Sequence, residues 1–356
     1  MASGVGRADA RVKMTRFQDI FDQSPAVEWL RRTLAAGRLP HAMVFAGPIG
    51  VGKGTTAAAL AGAFLCESPT DDADACGACA SCRAMSADTH PDYHRVYRQL
   101  IRLKKPDVVA RDLSVDVIRD YLIEPAGLKS ATGRGKVFVV DEAELMNFTA
   151  QNALLKTLEE PPGRTLIVLL AEQPSLLLST IRSRTQILRF APLPAARIAS
   201  ELKRRQVGGP GDADDAARFA RGSLGLALRW IQDGVIAAGR ELISRLQRLP
   251  DGAVELAEWM QKAAADYAVA QQARDPRTSK DAASREGMMI LLNLAAERFR
   301  EKLAAGDVVT ADAVAALCGC IEAAVQAERY VDANVTLLLA AEYAAGQWTE
   351  GLAAAR

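Results

Sequence analysis

Gly47-Pro-Ile-Gly-Val-Gly-Lys53-Gly-Thr55-Thr56 decides the fold of this 356-residue chain. The apolar run Met43 to Ala46 precedes it, and an Ala-rich helical run from Thr55 to Leu65 follows. A glycine-rich turn between a buried strand and a helix is the setting of a phosphate-binding loop. Gly47, Gly50 and Gly52 let the backbone wrap closely and aim N–H groups at phosphate oxygens, while the helix N-terminus adds partial positive charge. Lys53 then reaches the outer phosphates of a nucleotide. One group is missing. The residue after the lysine ordinarily supplies a hydroxyl to Mg2+, and here it is Gly54; Thr55 points about 100° away around a helix of 3.6 residues per turn.

Working outward, Val137 to Val140 and Leu166 to Leu170 are further short apolar runs, as expected of strands buried on both faces of a parallel sheet. A helix pattern covers Phe148 to Glu160, with Ala153, Leu154 and Leu158 on one face and a stop at Pro161-Pro162. The first zone, to about residue 190, therefore reads as an α/β P-loop domain. Val137-Phe-Val-Val ends in Asp141-Glu142, so Asp141 is a candidate to orient Mg2+ or its waters and Glu142 to polarise an attacking water. Two acids capping the next helix are the alternative.

Lys and Arg total 44 against 43 Asp and Glu, and 49% of residues are hydrophobic, a globular balance whose length predicts two or three domains. A net charge of +1 argues against a free-standing nucleic-acid binder, which needs many cations on phosphates. Between Arg95 and Lys136, however, ten basic residues face five acids, and Arg102-Leu-Lys-Lys105 is either a solvated loop or a local contact to nucleic-acid phosphates. No apolar run approaches the ~18–20 residues of a membrane helix, and residues 1–14 lack a secretory core, so they read as a disordered leader on a cytoplasmic protein. Pro192 and Pro194 mark a boundary. A small helical domain follows at 191–239 and a helical bundle at 240–356, interrupted by the polar stretch Arg274 to Arg285.

Four of the six cysteines crowd into Cys66-x9-Cys76-Gly-Ala-Cys79-Ala-Ser-Cys82. Four thiols in one short window suit structural Zn2+, a closed tetrahedral site. An iron–sulfur cluster is the rival, although the Cys-Pro that usually ends its motif is absent. His90 and His94 are nearby alternative ligands, and His41 packs beside the first strand. Cys318 and Cys320 read as buried packing residues in a helix.

Further stretches carry a resemblance: Phe17-Gln-Asp-Ile20 with Gln23, Arg38-Leu-Pro-His41-Ala-Met-Val-Phe45, Lys136-Val-Phe-Val-Val-Asp141-Glu-Ala-Glu144, Asn152-Ala-Leu-Leu-Lys-Thr-Leu-Glu-Glu-Pro-Pro162 and Thr180-Ile-Arg-Ser183-Arg184-Thr185. Through them the chain resembles the clamp-loader branch of the AAA+ ATPases, and within it the delta-prime subunits of bacterial DNA polymerase III, relatives of the gamma/tau motors. Good matches cover about residues 15–192; weaker ones are Gly222-Ser223 and Ala327-Glu-Arg-Tyr-Val-Asp-Ala-Asn334 with Glu342.

The resemblance implies an AAA+ domain at 15–190 with a zinc module at about 66–82, a lid at 191–239 and an oligomerising collar at 240–356. It implies gamma/tau and delta subunits, the sliding clamp and primer–template DNA as partners, and no polymerase activity in this chain itself. Arg184 is implied to be an arginine finger for a neighbouring subunit's ATP. Three departures from the motors, Gly54, Ala171-Glu172-Gln173-Pro174 in place of a Thr-rich sensor, and Gly225 where an Arg follows Gly-Ser, imply that its own ATPase is weak or absent. The rival readings are a gamma/tau-type motor, a small-molecule phosphotransferase suggested by the adenylate-kinase-like Gly-Lys-Gly-Thr ending, and a scaffold that binds no nucleotide.

Overall fold

The computed structural model describes residues 15–105, 110, 112–249, 252–274, 278–305 and 310–355; the expected leader at 1–14 lies outside the described residues. Strands β1 (Ala42–Ala46), β2 (Tyr93–Val96), β3 (Lys136–Val140), β4 (Thr165–Ala171) and β5 (Gln186–Arg189) form one sheet in the order β2-β3-β4-β1-β5. All its pairings are parallel, with Val44 opposite both Leu169 and Ile187 and Val139 opposite both Arg95 and Val168. The three central strands are buried along their whole length, which is why they read as continuous apolar runs. The edge strands β2 and β5 are short, polar and only partly buried, so no apolar run announces them.

Helices α1 (Ser24–Ala35), α2 (Lys53–Leu65), α3 (Ala80–Ser86), α4 (Val115–Ile118), α5 (Glu124–Gly127), α6 (Phe148–Glu159) and α7 (Ser179–Arg182) accompany the sheet. Alternate strand residues point to opposite faces. Met43, Phe45, Val139 and Val168 join Phe17, Leu30 and Leu60 in one core, while Val44, Phe138, Ile167 and Leu169 join Ile118, Leu154 and Leu158 in another. Each such side chain contributes about 1.5–3 kcal/mol on burial. Asn147 caps α6 by accepting the Ala150 N–H at 2.9 Å, and the helix stops just ahead of Pro161.

The described chain divides into two compact units, residues 15–198 with 220–226, and residues 199–219 with 227–355. The remaining helices are α8 (Ala195–Arg204), α9 (Asp212–Phe219), α10 (Leu224–Gln232), α11 (Val235–Gln247), α12 (Ala253–Arg274), α13 (Lys280–Ala304), α14 (Ala311–Asp332) and α15 (Leu337–Ala354). The last four close on themselves, α12 and α14 each packing on both α13 and α15. Gly287 permits the α12–α13 approach, since a Cβ there would come within 3.1 Å of the Ala264 backbone. Trp348 is fully buried, 5.7 Å from the Phe299 ring, and donates its indole N–H to the Cys320 carbonyl at 2.9 Å.

Cys320 is buried as expected, but Cys318 is exposed, because residues two apart on a helix lie about 200° apart. The polar stretch after Arg274 also finds its partners. Arg274 pairs with the buried Asp233, and Arg285 donates to the carbonyls of Val331 (2.9 Å) and Val335 (3.3 Å) at the end of α14; residues 275–277 lie outside the described residues. No described helix is long and apolar enough to cross a membrane.

Candidate functional site

The phosphate-type loop leaves β1 and enters α2 at Lys53, with Gly52 in the left-handed region (φ 103°) as its N-cap. The other two glycines are fixed by crowding. A Cβ on Gly47 would lie 2.3 Å from the Phe190 carbonyl oxygen, and one on Gly50 would lie 2.2 Å from Ser223 Oγ. The Gly225 N–H donates to the Gly50 carbonyl at 3.0 Å. On the other side, buried Gln23 donates to the carbonyls of Val51 (3.2 Å) and Ala191 (2.9 Å), so the entry segment holds the loop in place. Lys53 is buried and donates to the carbonyls of Gly47 and Pro48. Burial pulls its ammonium below the ordinary lysine range, opposed by the charges of Glu172 and Glu144. Thr55 is exposed, whereas Thr56 is buried with its hydroxyl oxygen unpartnered.

Gly54 is not forced to be glycine. A Cβ there meets only Leu170 Cδ1 at 3.6 Å, an ordinary contact, so the missing hydroxyl is a matter of chemistry and not of space.

Asp141 and Glu142 leave β3 at the same edge of the sheet as the loop, as the parallel arrangement requires. Both are engaged by arginines. Asp141 Oδ2 lies 2.8 Å from Arg95 Nη2, and Glu142, in the left-handed region at φ 53°, places Oε2 3.1 Å from Arg98 Nε. Arg95 sits opposite Val139 across β2 and β3, and the two-residue period brings it to the face of Asp141. Sequence reasoning missed both arginines as site residues, counting them instead in the basic stretch. Glu144 accepts the Glu172 backbone N–H at 2.9 Å and keeps a buried, unpartnered Oε2. Burial raises the Glu172 carboxyl above its usual range, with Lys53 opposing the shift.

Arg184 lies at the other edge. It precedes β5, whereas the loop follows β1, and β1 and β5 run parallel. Its guanidinium donates from Nε to Glu159 Oε1 at 2.6 Å and from Nη1 to the Thr180 carbonyl at 3.1 Å. The Lys53 loop, Asp141 and Glu142 therefore gather at one edge, and Arg184 stands apart from them.

The four cysteines form a second centre. Their Sγ atoms all lie within 4.8 Å of one another, including separations of 3.6 Å (Cys66–Cys82), 3.8 Å (Cys76–Cys82) and 3.9 Å (Cys66–Cys79). Four bonds of ~2.3 Å in a tetrahedron demand sulfurs about 3.8 Å apart, so the set fits one Zn2+. Backbone N–H groups of Ala78 and Cys79 point at Cys76 Sγ and pull that thiol down to about 6, while burial pushes Cys66 and Cys82 up. The Ser81 hydroxyl ties the module to the Leu65 carbonyl (2.9 Å) and meets His90 Nε2 at 2.9 Å. His90 is thus a support for the module, and His94 stacks on Phe138 with ring centroids 4.7 Å apart. Exposed His41 places Nε2 2.8 Å from the Leu158 carbonyl.

The basic stretch is largely committed within the chain. Lys104 pairs with Asp120 at 2.6 Å, Lys105 with Asp116 at 2.9 Å, and buried Lys136 donates to the carbonyls of Pro125, Ala126 and Leu128. Arg111 and Asp107 lie outside the described residues.

A family model described as "DNA polymerase III, delta subunit" matches residues 22–194. The chain is 36% identical over 214 residues to DNA polymerase III subunit delta' of Pseudomonas aeruginosa, covering 59% of this chain and 61% of the relative. It is 35% identical over 208 residues to the Escherichia coli delta' subunit, covering 58% and 59%. Over residues 22–194 this chain is similar to the delta-prime clamp-loader family. The tau subunit of Bacillus subtilis is also similar, at 31% identity over 53% of this chain and 31% of that one. The chain matches about three fifths of the length of the delta' relatives, and the span 22–194 of the family model holds the sheet, the phosphate-type loop and the cysteine module. A solved DNA polymerase III gamma subunit-related protein from Thermotoga maritima superposes with a TM-score of 0.47 at 14% identity, covering 94% of this chain and 100% of that one, too loosely to carry an argument.

Proposed function

We propose that this chain works as a delta-prime-type subunit of a bacterial replicative clamp loader, joining gamma/tau and delta subunits to place the sliding clamp on primed DNA. The observation that carries this reading is the separation of Arg184 from its own phosphate loop across the sheet. An arginine at the opposite edge is not placed to serve phosphates held by Lys53, which supports its use toward a neighbour's nucleotide. A guanidinium suits that task because its charge is permanent and its fork matches phosphate oxygens. Substituting Arg184 in a reconstituted loader tests it: turnover by the complex falls while this chain's own nucleotide binding is unchanged, and unaltered turnover sinks the assignment.

Gly47, Gly50, Gly52, Lys53, Gly54, Thr55 and Asp141 are the proposed nucleotide-site residues, ATP being the ligand that the family implies. Cys66, Cys76, Cys79 and Cys82 are proposed to hold structural Zn2+, which when bound would cross-link the loop between α2 and α3 and supply no open catalytic position. The proposed division is an AAA+ domain at 15–190, a lid at 191–239 and a collar at 240–356. Primer–template DNA is a proposed partner of the assembled complex, with phosphate contacts shared among subunits.

The second reading, a gamma/tau-type motor, is favoured by the complete glycine and lysine spacing of the loop. Intrinsic turnover by the isolated chain that falls on Lys53→Ala or Glu142→Gln would select it.

A further inference from the structure

The residues that would hold Mg2+ beside a P-loop nucleotide do not fit that task. Position 54 has no hydroxyl, although there is room for one. Asp141, whose side chain is only 12% exposed, already faces Arg95 at 2.8 Å, and Glu142 faces Arg98 at 3.1 Å. Mg2+ keeps most of its waters and is anchored to protein through one or two oxygen ligands. A carboxylate in a charge-assisted bond to a guanidinium has given up much of what it could offer that ion. The remaining acids do not replace it. Among the described residues, Asp141, Glu142, Glu144 and Glu172 do not converge as a set of three or more donors; Cys66, Cys76, Cys79 and Cys82 are the one such group.

Arg95 and Arg98 reach these acids by construction. The register of β2 on β3 sets Arg95 opposite Val139, two residues before Asp141. Arg98 follows the end of β2 at the same edge of the sheet, and the left-handed turn at Glu142 (φ 53°) carries its carboxylate to that guanidinium. Two fixed positive charges thus stand on the two carboxylates to which the P-loop pattern assigns metal orientation and water activation.

We infer that Arg95 and Arg98 take the place of the metal's charge at this site, so that the loop binds nucleotide without Mg2+. This rests on the reading of the Lys53 loop as a nucleotide site. It goes beyond that reading by naming the residues that stand in for the metal and the independence of Mg2+ that follows.

The test is ATP binding to the full chain by calorimetry, in EDTA and in Mg2+. The expected result is that the two affinities agree within about threefold, under 0.7 kcal/mol. The combined variant Arg95→Ala with Gly54→Thr should then bind ATP at least about tenfold more tightly in Mg2+ than in EDTA. A wild-type chain that binds about tenfold or more tightly in Mg2+ overturns the inference while leaving the nucleotide reading intact. The same holds for a folded combined variant, checked by circular dichroism, that gains no response to Mg2+. If ATP binds in neither condition, the nucleotide reading falls and the inference with it. The wild-type comparison needs no variant, so failure of the double substitution to fold does not protect the idea.

Discussion

Asp74, inside the cysteine loop, accepts the backbone N–H of Phe17 at 3.1 Å. It also accepts those of Gln18 (3.3 Å) and Ala75 (2.8 Å), and it is buried. The entry segment it holds runs on to Gln23, which bridges Val51 and Ala191 beside the phosphate-type loop. Stripping metal from the four cysteines should therefore loosen residues well outside the module. Hydrogen exchange at the Phe17 and Gln18 amides is expected to accelerate in chelator, and Asp74→Ala should produce the same acceleration with metal still bound. Each lost bond to a buried carboxylate costs about 1.5–3 kcal/mol. Unchanged protection at both amides after verified metal removal would disprove the coupling.

Metal content gives a second test. Native mass spectrometry should find one zinc per chain, lost on Cys82→Ser, a substitution at a fully buried sulfur. Iron, or four free thiols in protein purified without chelator, refutes the assignment. Loss of a structural ion should lower the melting temperature markedly, since binding at such a site contributes folding energy.

Arg184→Ala is expected to slow ATP turnover of the reconstituted loader by at least about a hundredfold, arginine fingers being worth roughly 10³–10⁵. The isolated chain should keep its ATP affinity and its melting temperature, because the Glu159 pair lost with Arg184 is half exposed and contributes little.

Two glycines of the loop should respond in opposite directions. Gly50→Ala forces a Cβ onto Ser223 Oγ in a left-handed backbone and should destabilise by about 1–3 kcal/mol. Gly54→Ala makes only an ordinary contact with Leu170 on a helix and should stabilise by about 0.5 kcal/mol. Thermal melts that rank the two the other way contradict the packing described above.

In the helical unit, buried Glu201 bonds Arg204 at 2.7 Å and Arg205 at 2.6 Å, and its carboxyl is drawn down to about 2, chiefly by the Arg204 bond. A depressed carboxyl stabilises above its ordinary value of 4.5 and loses that contribution as pH falls from 4.5 to about 2. Both arginines are substantially exposed, so screening reduces the effect to about 1 kcal/mol. Glu201→Gln should flatten stability against pH across that window; an unchanged acid limb in urea melts would argue against it.

The central strands, the loop and α6 were legible because burial on both faces, glycine spacing and Pro161-Pro162 all leave marks in a linear sequence. Edge strands β2 and β5 left none: Tyr93–Val96 and Gln186–Arg189 are polar, and only neighbouring strands make them extended. The same holds for the site. The loop residues and the four thiols are neighbours along the chain, so spacing reveals them. Arg95 on Asp141, Asp74 on Phe17 and Glu159 on Arg184 are joined across 46, 57 and 25 positions, and nothing in local composition distinguishes such a charge from a solvated one. Cys318 shows the reverse error, because an apolar neighbourhood in sequence still has an outward face on a helix.

Lys53 and Arg184, on opposite edges of one parallel sheet, give the first unit a direction. Contacts in which each edge meets a different neighbour are heterologous, one subunit's head meeting the next one's tail. On the proposed reading such a chain would sit in a polar row with a different neighbour on each side, and substitutions at Lys53 and at Arg184 would act on different neighbours.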